Sequence, residues 1–303
     1  MNPIDSNFPA VPYLAHIGLT YNCNCACFHC YASGRINNNR RQLTPYDYYK
    51  LLQELYSLGT VSITYSHGET LLCPFADKIF EYTHTLGIRQ TLISNGILID
   101  YHYIEKLVEV GIDALFLSLD SLKEESHNFN RQKFDAFKYV ISSISALKYS
   151  NIHEKGIATT IAPRNESEIE DIVIFAIEQQ MNTISFLSER GENGIADFNL
   201  NNIISVIRNY HSEINIVTHD PRLLRYVTEI GFSSKKKYNS FLEDNKCLCR
   251  RNIISIDIYG DVRLCNFIDD VYGNIFDTNI TELWKTIINH GCNMEIPCLQ
   301  RVT

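Results

Sequence analysis

The chain has 303 residues, 45% of them hydrophobic, and a formal net charge of −8. That length can bury a full-sized core, in one large domain or in a large one and a small one. The negative balance excludes a phosphate-polymer surface: the basic clusters at 235–237, Arg40–Arg41 and Arg250–Arg251 belong to no extended basic face and read as solvated surface, so no nucleic-acid partner is expected.

The N-terminal segment has no charged stretch followed by an apolar one, and no apolar run reaches the roughly 18 residues of a membrane span. A soluble cytoplasmic chain without a membrane partner is expected. From there β-type runs alternate with helical patterns. "AHIGLTY" (15–21) reads as a strand, and 44–59 as a helix with Thr44 at its N-cap and Pro45 in its first turn. "VSITY" (61–65) precedes a helix near 74–86, "RQTLIS" (89–94) one near 100–110, and "DALFLSL" (113–119) one near 132–148. "GIATTIA" (156–162) leads to a helix near 166–179, and "TISFLS" (183–188) is a sixth strand. This alternation predicts right-handed βαβ units and an α/β fold, a partial (β/α)6 TIM-like barrel rather than an eight-fold one. "NLNNIISVIRNYHSE" is expected as a helix across the barrel opening. Beyond about 240 short strands and loops predict a small C-terminal α+β extension, with a hairpin turning at Tyr259–Gly260–Asp261. The boundary falls near 235–245, giving a barrel over 12–235 and an extension over 240–303.

Ten cysteines in a reducing compartment read as metal ligands or core residues, not disulfides. They form two groups around a middle that has none between Cys73 and Cys247. In "TYNCNCACFHCYA" (20–32), the choice Cys23-x3-Cys27-x2-Cys30 omits Cys25 and puts three thiolates on a tight loop after the first strand. Three ligands suit a [4Fe-4S] cluster with one iron open. A structural zinc wants a fourth ligand, and His29, adjacent to Cys30, is poorly placed to be one; a zinc knuckle and unligated thiols are the alternatives.

The spacing and its context resemble the signature of radical S-adenosylmethionine (radical SAM) enzymes. The resemblance implies that the open iron holds the amino and carboxylate groups of S-adenosylmethionine. Reduction, by a donor such as flavodoxin or ferredoxin, then yields a 5′-deoxyadenosyl radical. His29 stands where the family has an aromatic residue whose backbone meets the adenine. Further motifs fall at the carboxyl ends of successive strands, where a parallel barrel collects its chemistry. "SHGET" (66–70) is similar to Gly-Gly-Glu-Pro: Gly68 and Glu69 match and His67 and Thr70 depart. Gly68 suits a backbone that approaches a ligand closely, while His67 reads as a pocket-narrowing residue, a proton donor or a plain surface histidine. "SNG" (94–96), with Asn95, is similar to Thr-Asn-Gly, and is also an ordinary turn signal. "SLDS" (118–121) followed by "HNFNR" (127–131) is similar to Ser-Leu-Asp-Gly with a later arginine. By resemblance Ser118, Asp120 and Arg131 belong to the cofactor site, with Ser118 and Arg131 on the methionine carboxylate; a helix N-terminal charge is the alternative for Asp120. The resemblance spans roughly residues 12–190.

The second cysteine group contains Cys249-x10-Gly260-x4-Cys265 and then "YGNIFDTNITELWK" (272–285), which look like the SPASM or twitch extension that binds auxiliary [4Fe-4S] clusters. Gly260 makes the turn that brings Cys249 and Cys265 side by side. With only Cys292 and Cys298 to follow, one auxiliary cluster is expected, on Cys249, Cys265, Cys298 and either Cys247 or Cys292. A zinc-ribbon site is the alternative, and Cys292 is also a candidate hydrogen-atom donor. Family members with this extension mostly modify ribosomally made peptides, and others act on small molecules. A peptide substrate is preferred here, although only 22 residues precede Cys23 and no leader-binding domain is seen in them. A non-catalytic iron–sulfur or zinc binding module is the reading from a different class.

Overall fold

The computed structural model describes residues 11–191, 194–220, 222–223, 226–227 and 253–291. Six strands are paired in chain order, each parallel to the next: β1 (Leu14–Ile17), β2 (Ser62–Tyr65), β3 (Arg89–Ser94), β4 (Ala114–Ser118), β5 (Glu154–Ile161) and β6 (Thr183–Ser188). Every residue of β4 is buried, the signature of a parallel strand covered on both faces. The helices between them are α1 (Pro45–Leu58), α2 (Ala76–Thr85), α3 (Tyr101–Glu109), α4 (Glu124–Arg131), α5 (Ala136–Lys148) and α6 (Ile169–Glu178). Their local codes are legible in the residues. Thr44 and Asp47 form a reciprocal capping box ahead of Pro45, and the Asp100 side chain accepts from Tyr103 N to start α3.

The predicted alternation is present, with two differences. The expected helix near 132–148 is α5, starting at Ala136, and a further helix that was not expected, α4, precedes it and stops where Gln132 turns left-handed at φ 50°. α4 is polar enough to carry little apolar periodicity, so its sequence concealed it. The helix expected across the barrel opening is α7 (Leu200–Tyr210), which packs beside α6 and leads into β9 (Asn215–Thr218), parallel to β6. Its buried residues Ile203, Ile204, Val206 and Ile207 make it the crossover of a seventh unit, not a lid. Between them lies a minimal hairpin, β7 (Arg190–Gly191) and β8 (Gly194–Ile195).

The extension continues the same open sheet. β10 (Ile253–Ile256) lies parallel to β1, and β11 (Asp261–Arg263) and β12 (Gly273–Asn274) follow antiparallel, giving the order β12-β11-β10-β1-β2-β3-β4-β5-β6-β9. Gly260 turns the β10–β11 hairpin at φ 79°, and a Cβ there would meet the Ile275 side chain at 2.9 Å. The last helix among the described residues, α8 (Ile280–Gly291), docks on α1, where Glu54 accepts from Ile280 N at 3.0 Å. The expected domain boundary near 235–245, together with Cys247, Cys249, Cys292 and Cys298, lies outside the described residues. Among the described residues no helix is long and apolar enough to cross a membrane.

Candidate active site

One cavity opens at the carboxyl ends of the barrel strands, and the loop after β1 carries Cys23, Cys25, Cys27 and Cys30 into it. Backbone contacts hold that loop. Ala26 N and Phe28 N donate to the carbonyls of Arg131 and Asn130 at the end of α4, and Glu69 N donates to Asn22 O at 2.8 Å. Gly68, at φ 56°, lies so close that a Cβ would stand 2.5 Å from Asn22 O and 2.7 Å from Thr20 O. The close approach is therefore to the thiol loop's own backbone, and it fixes the loop against the end of β2.

Side-chain donors face the sulfurs. Asn95 Nδ2 lies 3.8 Å from Cys23 Sγ and Arg131 Nη1 lies 3.8 Å from Cys27 Sγ. The thiol of Cys25 and then the Arg131 guanidinium pull Cys27 down to about 5 against the effect of burial. Hydrogen bonding with its neighbours Cys23 and Cys27, together with burial, pushes Cys25 far up, so it keeps its proton while Cys27 is pulled toward the thiolate. Among the described residues no three His, Cys, Asp or Glu side chains converge on the point a single ion needs. Thiols spread around a loop, with amide and guanidinium donors behind them, fit a larger group held at its corners.

Glu69 is buried at the bottom of the loop. It accepts from Ser94 Oγ and from Asn95 N, each at 2.9 Å, and burial raises it to about 7 despite those bonds. The same Asn95 side chain donates to Asn24 Oδ1 at 2.6 Å, so strand three's Asn-Gly is tied into the loop and is not merely a turn. Ser118 and Arg131 line the cavity, whereas Asp120 stands behind Arg131. Its carboxylate takes Arg131 Nη2 at 2.9 Å and accepts from Thr160 N of β5 at 3.0 Å. Burial opposes its charge, but the Arg131 guanidinium, with the bond from Thr160 N, holds it below the usual carboxylate range. With α4 beginning at Glu124, Asp120 is no helix N-terminal charge. His29 lines the cavity with Nε2 3.7 Å from Asp120, and burial keeps it neutral.

His67 is no surface histidine: it is 2% exposed, at φ 82°, packed edge-on between Tyr21 and Tyr31. The left-handed backbone shows why glycine suits this position. Its Nδ1 donates to Ser66 O at 2.7 Å, because a carbonyl only accepts, and burial lowers the ring to about 4. A neutral ring with its proton on Nδ1 leaves Nε2 as an acceptor without a partner. From the second cysteine group, Cys265 lines this same cavity beside Asn266 and Phe267. Asn266 Nδ2 donates to Ser66 Oγ at 3.2 Å.

The sequence reading did not single out His16, Arg190, His219 or Phe267, which also line the cavity. His16 lies in β1 and His219 follows β9, yet their rings meet edge-on at 6.4 Å. The available signal was position: Arg190 comes two residues after strand six, at the end of the barrel where the other motifs fall.

The sequence profile of the Radical SAM superfamily matches residues 17–176. The AdoMet-dependent heme synthase of Methanosarcina barkeri is 25% identical over 290 residues, covering 90% of this chain and 82% of that protein. The Fe-coproporphyrin III synthase of the same organism is 29% identical over 168 residues, 55% of this chain and 42% of that protein. Among solved structures, Streptococcus suis SuiB bound to its precursor peptide SuiA superposes with a TM-score of 0.74 at 17% identity, over 95% of this chain and 68% of SuiB.

Proposed function

The chain belongs to the radical SAM superfamily, and from that premise we propose that it cleaves S-adenosylmethionine reductively and takes a hydrogen atom from a substrate carbon held in the barrel cavity. When bound, a [4Fe-4S] cluster and S-adenosylmethionine supply the electron and the 5′-deoxyadenosyl radical. Cys23, Cys27 and Cys30 hold the cluster in this reading. Asn95 and Arg131 donate toward the sulfurs and stabilise their negative charge. Glu69, fixed by Ser94 and Asn95, offers its carboxylate to the amino group, and an ammonium beside it favours the ionised form. Ser118 and Arg131 take the methionine carboxylate; Arg131 Nε has no partner of its own, and Asp120 holds the guanidinium in place. His29 lines the adenine side, and the barrel walls exclude water from the reacting carbon.

The observation that carries this reading is convergence: the thiol loop, Glu69, Asn95 and Ser118 come from four successive strand ends, Arg131 from the end of α4, and all line one cavity. Anaerobic reconstitution with iron and sulfide, then dithionite and S-adenosylmethionine, tests it. Release of 5′-deoxyadenosine is expected; uncleaved cofactor favours a non-catalytic binding module, and zinc without iron rejects the cluster.

A ribosomally made peptide is the substrate we favour, supported by the likeness of the fold to SuiB with its precursor peptide. A small-molecule intermediate is the second reading, supported by a likeness to a heme synthase that runs over 90% of the chain. The mass change of a candidate substrate after anaerobic turnover separates them. One auxiliary cluster on Cys249, Cys265, Cys298 and either Cys247 or Cys292, in an extension over 240–303, and a flavodoxin or ferredoxin donor complete the proposal. The place of Cys265 in the cavity wall supports an auxiliary cluster near the substrate.

A further inference from the structure

We infer that Arg190, laid over Phe267, is a carboxylate-binding subsite for the substrate, which is therefore an anionic molecule; the inference rests on the radical-enzyme reading above. The argument begins with charge. Arg131 in the cavity, and Arg164, Arg222 and Arg263 elsewhere in the fold, are each held by a carboxylate, on Asp120, Glu189, Asp220 and Asp257. Arg190 lines the cavity and has no ion pair among the described residues, and its buried Nε has no hydrogen-bond partner. Its sequence neighbour Glu189 is unavailable, because both carboxylate oxygens take Arg164 at 2.8 Å.

The guanidinium is nevertheless positioned. Its Cζ lies 4.3 Å from the centroid of the Phe267 ring, and Phe267 in turn meets Tyr31 edge-on at 5.2 Å. A guanidinium laid on a ring keeps its in-plane N–H donors free, the geometry that receives a carboxylate through two parallel bonds. The β7–β8 hairpin holds the backbone, with Ala196 N donating to Glu189 O and Glu189 N to Ile161 O, each at 2.8 Å. Leaving a cation of this kind unpaired in a half-enclosed cavity costs free energy that a bound anion recovers. Arg190 is thus supplied by β7, just beyond β6, and Phe267 by the segment after β11, so barrel and extension together build the subsite.

The chemistry is a carboxylate, and it has two sources under the readings above: an acidic side chain on a peptide, or an acid group on a small molecule. Two probe pairs distinguish them, each titrated onto anaerobic holoenzyme. One is Fe-coproporphyrin III against its tetramethyl ester; the other is a mixture of synthetic decapeptides with one fixed Glu against the same mixture with Gln. The acid form of one pair is expected to bind about tenfold or more tightly than its neutral form. R190Q removes that preference, and R190K restores part of it, since lysine keeps the charge but not the fork. Equilibrium dialysis of S-adenosylmethionine on R190Q reports whether the arginine serves the cofactor instead. The inference is overturned if neither acid form is preferred by the wild type, if the preference survives in R190Q, or if R190Q weakens cofactor binding. A wild type that releases no 5′-deoxyadenosine sinks the reading beneath it, whereas one that does so without preferring a carboxylate sinks this inference alone.

Discussion

Two segments that line the same cavity are held in place by different forces. The thiol loop after β1 rests on backbone: carbonyls of Asn130 and Arg131 receive its amides, and Gly68 lets the end of β2 lie against residues 20–22. The β10–β11 hairpin rests on charge. Asp257 accepts from Tyr21 Oη at 3.1 Å and Arg263 Nη1 at 2.6 Å, and Asp261 receives both Nη1 and Nη2 of Arg40 at 2.6 and 2.7 Å. Arg35 adds a bond to Asn266 O at 3.0 Å. The loop is thus built for exact placement of its sulfurs, which a side chain in the wrong place disturbs. The hairpin is attached by pairs whose loss weakens attachment in proportion to burial.

Substitutions can break or sharpen this contrast. The largest effect is expected from C27A: the reconstituted protein should lose its brown chromophore and its iron, with 5′-deoxyadenosine release at background. Retention of both would remove the basis of the site. D257A should come next, since it takes from the buried Arg263 the nearer of its two carboxylates, leaving Asp261 at 3.2 Å, and leaves Tyr21 without its acceptor. We expect about 3 kcal/mol of destabilisation in a denaturant titration. A loss below about 1 kcal/mol would mean that the hairpin is held by packing instead.

Glu69 supplies a pH test. Burial lifts it from 4.5 to about 7, so the neutral acid is the form that folding favours. Its contribution to stability is whole below the unfolded value and is lost as pH rises through about 7. Cluster-free protein should lose roughly 3 kcal/mol from this group by about pH 8, and E69Q should lack that slope. Parallel stability profiles for the two proteins would contradict it. G68A should cost about 2 kcal/mol, from a Cβ driven into Asn22 O at a left-handed backbone position, and iron incorporation should fall with it. The smallest change is expected for R40Q, about 0.5–1 kcal/mol, because that side chain is 38% exposed; the difference in melting temperature should shrink in high salt.

Much of the site was legible as short motifs that resemble those of the radical SAM family. The spacing of Cys23, Cys27 and Cys30, the Gly68–Glu69 pair and the Asn95 turn each announce themselves over a few positions, and each falls at a strand end that hydrophobic periodicity had marked. α4 was not legible, since a helix whose buried residues are His127, Asn130 and Arg131 offers no apolar stripe to detect. Nor was the seventh strand, β9: four residues, half of them buried, after a helix that had no evident partner.

What residue order determined by itself was the succession of strands and helices, their caps at Thr44 and Asp100, and three thiols on one short loop, because those depend on torsional preferences and on neighbours a few positions away. Tertiary structure alone decided that Asp120 stands behind Arg131, that His16 meets His219, and that Arg190 rests on Phe267 with no ion pair among the described residues. Those relations join residues from distant strand ends. Their distances follow from sheet register, curvature and the direction of each side chain, and no local pattern encodes them.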